Sequence, residues 1–255
     1  MAIIDVCTYN GEWELFEIRY NILKDYVDRF VVIEFDKTFS GKKRENYFNN
    51  KYDKTVHYYN PEKIYEKYKE LAESSPNTKG AEHWKREFMQ KESIKDRLDD
   101  LKLEDNDIVF ISDCDEIVNP MFYIEPNSEL VKYKLIVYTY WLNNRSSENF
   151  WGTIKARYRD IKNECLNHLR NNHERKNTIN DAGWHFTSMH HQIKQKLTDS
   201  YTEESYATKE VMDNLEENIK NSKDFLGRDF NYEINEEDWP MWLKENRERY
   251  LHLLK

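Results

Sequence analysis

The sequence contains the stretch Asp105-Asn-Asp-Ile-Val-Phe-Ile-Ser-Asp113-Cys-Asp115-Glu116, in which an apolar run ends in three carboxylates. Residues 108–111 predict a buried strand, and ligands of open α/β sheets bind beyond the carboxyl ends of such strands. Side chains alternate along a strand, so Asp113 and Asp115 point the same way if the chain stays extended. Two carboxylates on one side suit a hard divalent cation carrying a diphosphate, although acidic residues also cap strands and begin turns. The stretch therefore predicts a metal site.

The residues before this stretch predict an alternation of strands and helices. Residues 3–8 and 29–35 are apolar runs typical of buried strands, and Asn10-Gly11 predicts a turn after the first. Between them lies a helix whose apolar residues repeat at helical spacing: Leu15, Ile18, Ile22 and Tyr26. A third strand over 55–59 precedes two helices, over 62–72 and 82–101, separated by a Ser-Ser-Pro-Asn cluster.

The residues after it predict further strands and then a largely helical tail from Gln192. These strands are expected over 134–141, 151–158 and 182–189, the last a strand or a loop. Alternating strands and helices indicate a mixed, mostly parallel sheet flanked by helices. The glycine fingerprints of dinucleotide-binding and P-loop proteins are missing from the sequence.

Length and composition favour one domain. The chain has 255 residues and no Pro/Gly/Ser-rich linker, and its 12 Phe, 18 Tyr and 7 Trp supply a sizeable core. We expect a single domain over 1–255, with a nucleotide-binding half over 1–120 and an acceptor-side half over 121–255.

Charge and cysteine content limit partners and compartment. A net charge of −9 argues against nucleic acid and anionic lipid as partners. Three cysteines without close pairing give neither a disulfide framework nor zinc spacing. The start has no signal peptide or membrane anchor, and no later apolar run is long enough for a transmembrane segment. These features predict a cytoplasmic protein, and the composition resembles that of microbial or viral chains.

Five separated segments form an ordered set. They are Glu-Leu-Phe-Glu-Ile-Arg-Tyr at 14–20, Val-Asp-Arg-Phe-Val-Val-Ile-Glu-Phe-Asp-Lys-Thr-Phe-Ser-Gly-Lys at 27–42, Trp-Lys-Arg-Glu-Phe-Met-Gln-Lys at 84–91, Ile-Ser-Asp-Cys-Asp-Glu-Ile at 111–117 and Ala-Gly-Trp-His-Phe at 182–186. Together they resemble glycosyltransferase family 17, the β-1,4-mannosyl-glycoprotein N-acetylglucosaminyltransferases and their bacterial and viral relatives. The resemblance implies a glycosyltransferase A-type (Rossmann-like) fold and an inverting transfer of N-acetylglucosamine from its UDP-sugar to a glycan or other carbohydrate acceptor.

The resemblance also implies a metal ion, Mn²⁺ or Mg²⁺, which stabilises the charge of the departing diphosphate. Asp115 would hold it, with Asp113 as second ligand or ribose partner and His185 as a distal ligand. The competing interpretation of His185 is a core histidine held between Trp184 and Phe186.

Two groups of residues are candidates for donor binding. Thr8, Asn10 and Glu34 follow or end the first two strands, where uracil and ribose would be hydrogen-bonded, although strand capping and turn formation explain them too. On the helix over 82–101, the predicted donor-facing residues are Arg86, Glu87 and Gln90, and the predicted core-facing ones are Trp84, Phe88 and Ile94. A solvated, salt-bridged face is the alternative for the first three.

An inverting transfer needs a base that takes the acceptor proton. Asp181 is the favoured candidate. Glu116 is a second candidate, unless it orients the Asp113–Asp115 turn, and Glu203 and Glu204 stay open. Acceptor sugars would stack on exposed aromatic residues, for which the candidates are Trp141, Trp151 and Tyr158.

Two other functions compete with this interpretation. A metal-dependent phosphohydrolase or nuclease could use the cluster of Asp113, Asp115 and Glu116. A noncatalytic module could bind a sugar nucleotide without turnover, and only turnover separates such a module from an enzyme.

Overall fold

The structure is a computed structural model and describes residues 1–45, 47–124, 130–171, 177–202 and 205–255. Its strands are β1 (Ile3–Thr8), β2 (Arg29–Phe35), β3 (Thr55–Asn60), β4 (Ile108–Asp113), β5 (Glu116–Val118), β6 (Val131–Thr139), β7 (Asn144–Arg157), β8 (Thr178–Ile179), β9 (Gly183–Thr187) and β10 (Tyr232–Ile234). Its α-helices are α1 (Trp13–Leu23), α2 (Glu62–Tyr65), α3 (Lys69–Ser74), α4 (Glu82–Glu92), α5 (Ile94–Asp100), α6 (Met121–Ile124), α7 (Tyr158–Ile161), α8 (Leu166–Asn171), α9 (Ile193–Ser200), α10 (Lys209–Lys220) and α11 (Met241–Glu245).

The strands form one mixed sheet in the order β3-β2-β1-β4-β7-β6-β9-β5. The first four of these strands are parallel, β7 runs antiparallel to both β4 and β6, and β9 returns parallel to β6. The short β5 pairs antiparallel with β9 at the end of the sheet. This confirms the predicted mixed, mostly parallel sheet with helices.

Apolar side chains on both faces of the central strands explain why helices cover both sides. Ile18 of α1 packs in one core cluster with Phe30 and Phe110, and Ile94 of α5 packs in another with Val31. Such doubly buried strands read as continuous apolar runs, and β1 and β2 accordingly match their predicted bounds.

Several predicted element bounds were wrong. The first helix ends at Leu23, and Tyr26 lies beyond it with 39% of its surface exposed. The single helix predicted over 82–101 is two helices, α4 and α5, which are separated by a turn at Ser93, whose hydroxyl donates to the Gln90 carbonyl. β7 begins at Asn144, since its polar first half carries no apolar signal and still pairs with β6 and β10.

The C-terminal residues pack onto the same core as the sheet. Trp239, Leu243, Tyr250 and Leu253 are buried in the cluster that contains Ile18 of α1. Core packing therefore fixes this end of the chain to the sheet. In the part of the chain that the structure describes, none of the helices has the length and apolar character needed to cross a bilayer.

Candidate active site

A cleft of about 1380 Å³ opens beyond the carboxyl ends of β1 and β4. Its walls come from the β1–α1 turn, from α4 and α8, from the middle of β7, and from the end of β9 with α9. This is the position at which α/β sheets bind ligands.

The acidic turn after β4 forms the floor of this cleft. The strand ends at Asp113 and residues 114–115 form a turn, so the extended chain that would point Asp113 and Asp115 the same way is not present. Arg19 of α1, which is buried and ion-paired with Asp5, fixes the turn by donating to the carbonyl oxygens of Asp113 (3.2 Å) and Glu116 (2.5 Å). The buried guanidinium of Arg19 therefore fixes the conformation of this turn.

Asp113 is surrounded by hydrogen-bond donors. Its Oδ1 accepts from the Thr8 hydroxyl at 2.8 Å and from Arg170 at 3.1 Å, and Lys91 lies 3.4 Å from its Oδ2. Burial would raise the pKa of Asp113, but the charges of Arg170 and Lys91 hold it well below its usual range. Asp113 is thus an ionised acceptor beside the ends of two parallel strands.

Asp115, Glu116 and His185 form a second group, with one ligand atom of each within 4.8 Å of the others. The cause is strand register: Glu116 of β5 lies directly opposite His185 of β9, and such paired residues share a face of the sheet. His185 Nε2 is 3.5 Å from Asp115 Oδ2. Burial would raise the pKa of Asp115, but the charges of Lys196 and His185 lower it.

This group fits a divalent cation chemically. Two carboxylates and an imidazole are a donor set that suits Mn²⁺, and all three side chains are buried. The buried Nδ1 of His185 has no hydrogen-bond partner among the described residues. Lys196 now balances the charge of Asp115, with its Nζ 3.2 Å from Oδ2 and 3.1 Å from the Thr187 hydroxyl. An ion held by Asp115 would replace this lysine contact.

Glu116 is more enclosed than the other two members. It is fully buried, it accepts from the Thr153 hydroxyl at 2.7 Å, and Arg170 Nη2 lies 3.0 Å from its Oε1. Burial raises the pKa of Glu116 despite the charge of Arg170. Glu116 is thus tied to Arg170, the residue that also contacts Asp113.

The three donor-binding candidates on the first two strands have different surroundings in the structure. Thr8 and Asn10 line the cleft, and Asn10 Oδ1 accepts from Arg44. Glu34 is buried and accepts from the backbone N–H groups of Tyr47 and Phe48, both at 3.0 Å, and its other neighbour is His57 at 2.9 Å. Glu34 therefore shapes the loop that follows β2.

The cleft-facing side of α4 differs from the predicted one. Trp84, Glu87 and Lys91, at helical positions i, i+3 and i+7, line the cleft, so the prediction that Trp84 faces the core was wrong. Arg86 donates to the Phe39 carbonyl, and Gln90 donates to the Lys37 carbonyl at 2.8 Å. Arg86 and Gln90 therefore support the loop after β2, while Phe88 and Ile94 are buried as expected.

Asp181, the favoured base, is an exposed residue with φ of 50° in the turn before β9, and it is not among the residues that line the cleft. Three residues of nearly extended chain lie between it and His185, a span of about 13 Å. The other candidates, Glu203 and Glu204, lie outside the described residues.

The three aromatic residues predicted to stack on acceptor sugars also lie in different parts of the structure. Trp151 lines the cleft, whereas Trp141 stacks on His190 outside it, with ring centroids 3.7 Å apart. Tyr158 is buried and donates to Asp99. Sequence reasoning missed Trp13, which lines the cleft with 57% of its surface exposed.

Sequence reasoning also missed the cationic residues of the site. Arg170 links Asp113 to Glu116, and Lys196 contacts Asp115. Each stands alone in a short helix with no motif around it. Only Lys91 could have been found from the sequence, because its spacing from Trp84 and Glu87 places the three residues on one face of a helix.

The parallel strands and the acidic, histidine-containing cleft beyond their carboxyl ends define an α/β protein with a ligand site of the kind that enzymes use. The model of glycosyltransferase family 17 matches residues 1–224, so the chain belongs to glycosyltransferase family 17 and is a glycosyltransferase. Searches of curated proteins and of solved structures gave no match.

Proposed function

We propose that the protein is an inverting, metal-dependent glycosyltransferase with an A-type fold, which moves N-acetylglucosamine from UDP-N-acetylglucosamine to a hydroxyl of a glycan. The observation that carries this proposal is the convergence of Asp115, Glu116 and His185 in the cleft, beside an ionised Asp113. The family supplies the reaction class, and the donor set supplies the reason to expect a cation.

Asp115 and His185 would hold Mn²⁺ or Mg²⁺, and Glu116 would orient the turn through its bonds to Arg170 and Thr153. The ion supplies a positive charge for the diphosphate that departs from the anomeric carbon. Lys196, which contacts Asp115, would supply a second positive charge in the same part of the cleft.

Asp113 and Asn10 are the residues we assign to the nucleoside. Asp113 keeps its charge through Arg170 and Lys91, and a carboxylate accepts hydrogen bonds from ribose hydroxyls. Thr8 fixes its orientation at 2.8 Å. Glu87, which is ion-paired with Lys91 on the cleft side of α4, would accept hydrogen bonds from the hydroxyl groups of the donor sugar.

Calorimetric titration with UDP, UDP-N-acetylglucosamine and GDP-mannose, each with Mn²⁺ and then with EDTA, tests this proposal. We expect binding that is confined to the UDP compounds and depends on Mn²⁺. Asp115→Asn should weaken it by about tenfold or more, towards the EDTA level, because a ligand of the ion is lost.

The matched control is Asp25→Asn, at an exposed carboxylate after the end of α1. It should bind UDP as the parent protein does. Equal affinity in Mn²⁺ and EDTA, or an Asp115→Asn variant that binds like the parent, would contradict the metal assignment. Binding of GDP-mannose in place of the UDP compounds would contradict the donor.

A further inference from the structure

The carboxylates that line the cleft differ in how they are neutralised. In the part of the chain that the structure describes, six of them form ion pairs with a lysine or arginine: Glu87, Asp113, Asp115, Glu116, Glu148 and Asp199. Glu12 also lines the cleft, and it forms no ion pair within 4.0 Å with any described residue. A carboxylate that takes a proton during a reaction must not be fixed by a cation, and Glu12 meets this condition.

The position of Glu12 leaves its side chain available to a ligand. It lies in the turn between β1 and α1, at the N-cap position of α1, where its side chain makes no capping hydrogen bond. Oε2 accepts the backbone N–H of Asn10 at 2.6 Å, and the residue is half-buried. The carboxylate is thereby anchored through a backbone N–H and not through a cation.

The electrostatic surroundings of Glu12 make it basic. Burial, together with the negative charge of Asp115, raises the pKa of Glu12 to about 7, against the opposing effects of the Asn10 N–H and of Lys196. General bases work best when their pKa lies near the working pH. At pH values above about 7 the carboxylate is ionised and ready to accept a proton.

Trp13, the next residue, presents an aromatic surface to the same cleft. Its 57% exposure is high for a tryptophan, and its backbone N–H is held by the Gly11 carbonyl at 2.9 Å. Tryptophan combines a large apolar face with little loss of conformational freedom on binding, which suits the apolar face of a sugar ring.

We propose that Glu12 and Trp13, at the α1 end of the β1–α1 turn, form the acceptor subsite, with Glu12 as the proton acceptor of the transfer and Trp13 as the surface on which the acceptor sugar stacks. This inference rests on the proposed function. Glu12 takes the proton of the acceptor hydroxyl while that oxygen bonds to the anomeric carbon of the donor. The bond from this carbon to the diphosphate breaks, and its electron pair leaves with UDP.

The variant Glu12→Gln tests the first half of the proposal, since glutamine keeps the shape and can still accept from Asn10. The assay is UDP release from UDP-N-acetylglucosamine with Mn²⁺, with water and a panel of p-nitrophenyl glycosides as acceptors. We expect kcat to fall by about 100-fold or more. Calorimetry should give a UDP affinity within about twofold of the parent, because Glu12 does not hold the donor.

The pH profile separates a base from a structural residue. In the parent, kcat/KM should rise with pH as Glu12 loses its proton, and this rise should be missing in Glu12→Gln. Asp25→Asn should keep both the rate and the profile of the parent.

Trp13→Ala tests the second half. We expect a higher KM for the glycoside acceptor with an unchanged KM for UDP-N-acetylglucosamine, and Trp13→Phe should restore most of the acceptor affinity. Tyr26→Ala is the control, since Tyr26 is exposed after α1 and does not line the cleft.

Three results would overturn the inference: transfer by Glu12→Gln within about threefold of the parent, loss of UDP binding together with activity, or a Trp13→Ala effect on the donor KM alone. Failure of the proposed function is a different result. In that case the parent protein itself would bind no UDP compound and release no UDP.

Discussion

At the scale of single residues, the site depends on a buried cation, Arg170, which forms ion pairs with two of its carboxylates. Arg170 reaches Asp113 with one nitrogen and Glu116 with another, and it also donates to the Gly152 carbonyl at 2.7 Å. Its own side chain is only 6% exposed. Without this guanidinium, the fully buried Glu116 would lose its ion-pair partner, and the partly buried Asp113 would keep Lys91.

Arg170→Met should therefore destabilise the protein by about 3–5 kcal/mol, the usual cost of leaving a buried charge without its partner. Urea unfolding at neutral pH in EDTA measures the change. Arg159→Met, at an exposed arginine whose ion pair among the described residues is with its neighbour Asp160, should stay within about 0.5 kcal/mol of the parent. A similar small effect for Arg170→Met would mean that water replaces the guanidinium.

At the scale of elements, the pairing of β5 with β9 brings His185 to the acids. Gly183 begins β9, and a Cβ atom there would lie 2.1 Å from the Ile117 carbonyl oxygen and 2.8 Å from Val118 Cα. Both are backbone atoms, which a rotamer change cannot move. The close approach of these two strands requires glycine.

Gly183→Ala should cost about 3 kcal/mol, because the strands must separate and the backbone is also strained. Gly227→Ala is the control: its φ is +73° and nothing lies within 4 Å of the added Cβ, so it carries backbone strain of about 1 kcal/mol alone. Thermal and urea unfolding of the two variants measure the difference. Equal costs would show that the contact with β5 is unimportant.

The elements also show which parts of the fold and site could be predicted from sequence. β1, β2 and β4 were predictable because they are apolar runs buried on both faces, and Asp115 and His185 because motifs surround them. Arg170 and Glu12 belong to no motif or periodic pattern in the sequence. Their position in the site follows only from the way in which distant strands and helices pack together. The break at Ser93 could not be predicted for another reason: the residues on both sides of it favour a helix.

At the scale of the whole molecule, charged contacts join the C-terminal end to the first helix. Glu14 of α1 accepts from His252 at 2.6 Å and contacts His191, in the segment before α9, at 3.0 Å. Arg249 reaches Glu17 at 2.8 Å. The C-terminal end, the first helix and the segment leading to Lys196 therefore meet at one carboxylate.

This arrangement predicts a pH-dependent contribution to stability. Burial would raise the pKa of Glu14, but the hydrogen bonds from His191 and His252 lower it below its usual value of 4.5. A carboxyl group with a lowered pKa stabilises the fold fully above its unfolded value and loses this effect as pH falls through the folded value. Glu14→Gln should thus reduce Tm most at pH 6–7, and the difference from the parent should shrink below about pH 4.5.

Melting curves of the parent and Glu14→Gln across this pH range provide the measurement. Glu245→Gln, at an exposed glutamate of α11, should leave Tm unchanged at every pH. A difference between Glu14→Gln and the parent that grows as the solution becomes more acidic would contradict the assignment.

The ladder between β5 and β9 consists of three residue pairs at the end of the sheet. Few bonds must open there before the amide groups meet solvent, so their hydrogen exchange should be among the fastest in the sheet. A ligand that contacts Asp115 and His185 together links these two strands and slows that exchange. Deuterium uptake in residues 116–118 and 183–185 would therefore report occupancy of the cleft directly, even before any acceptor is known.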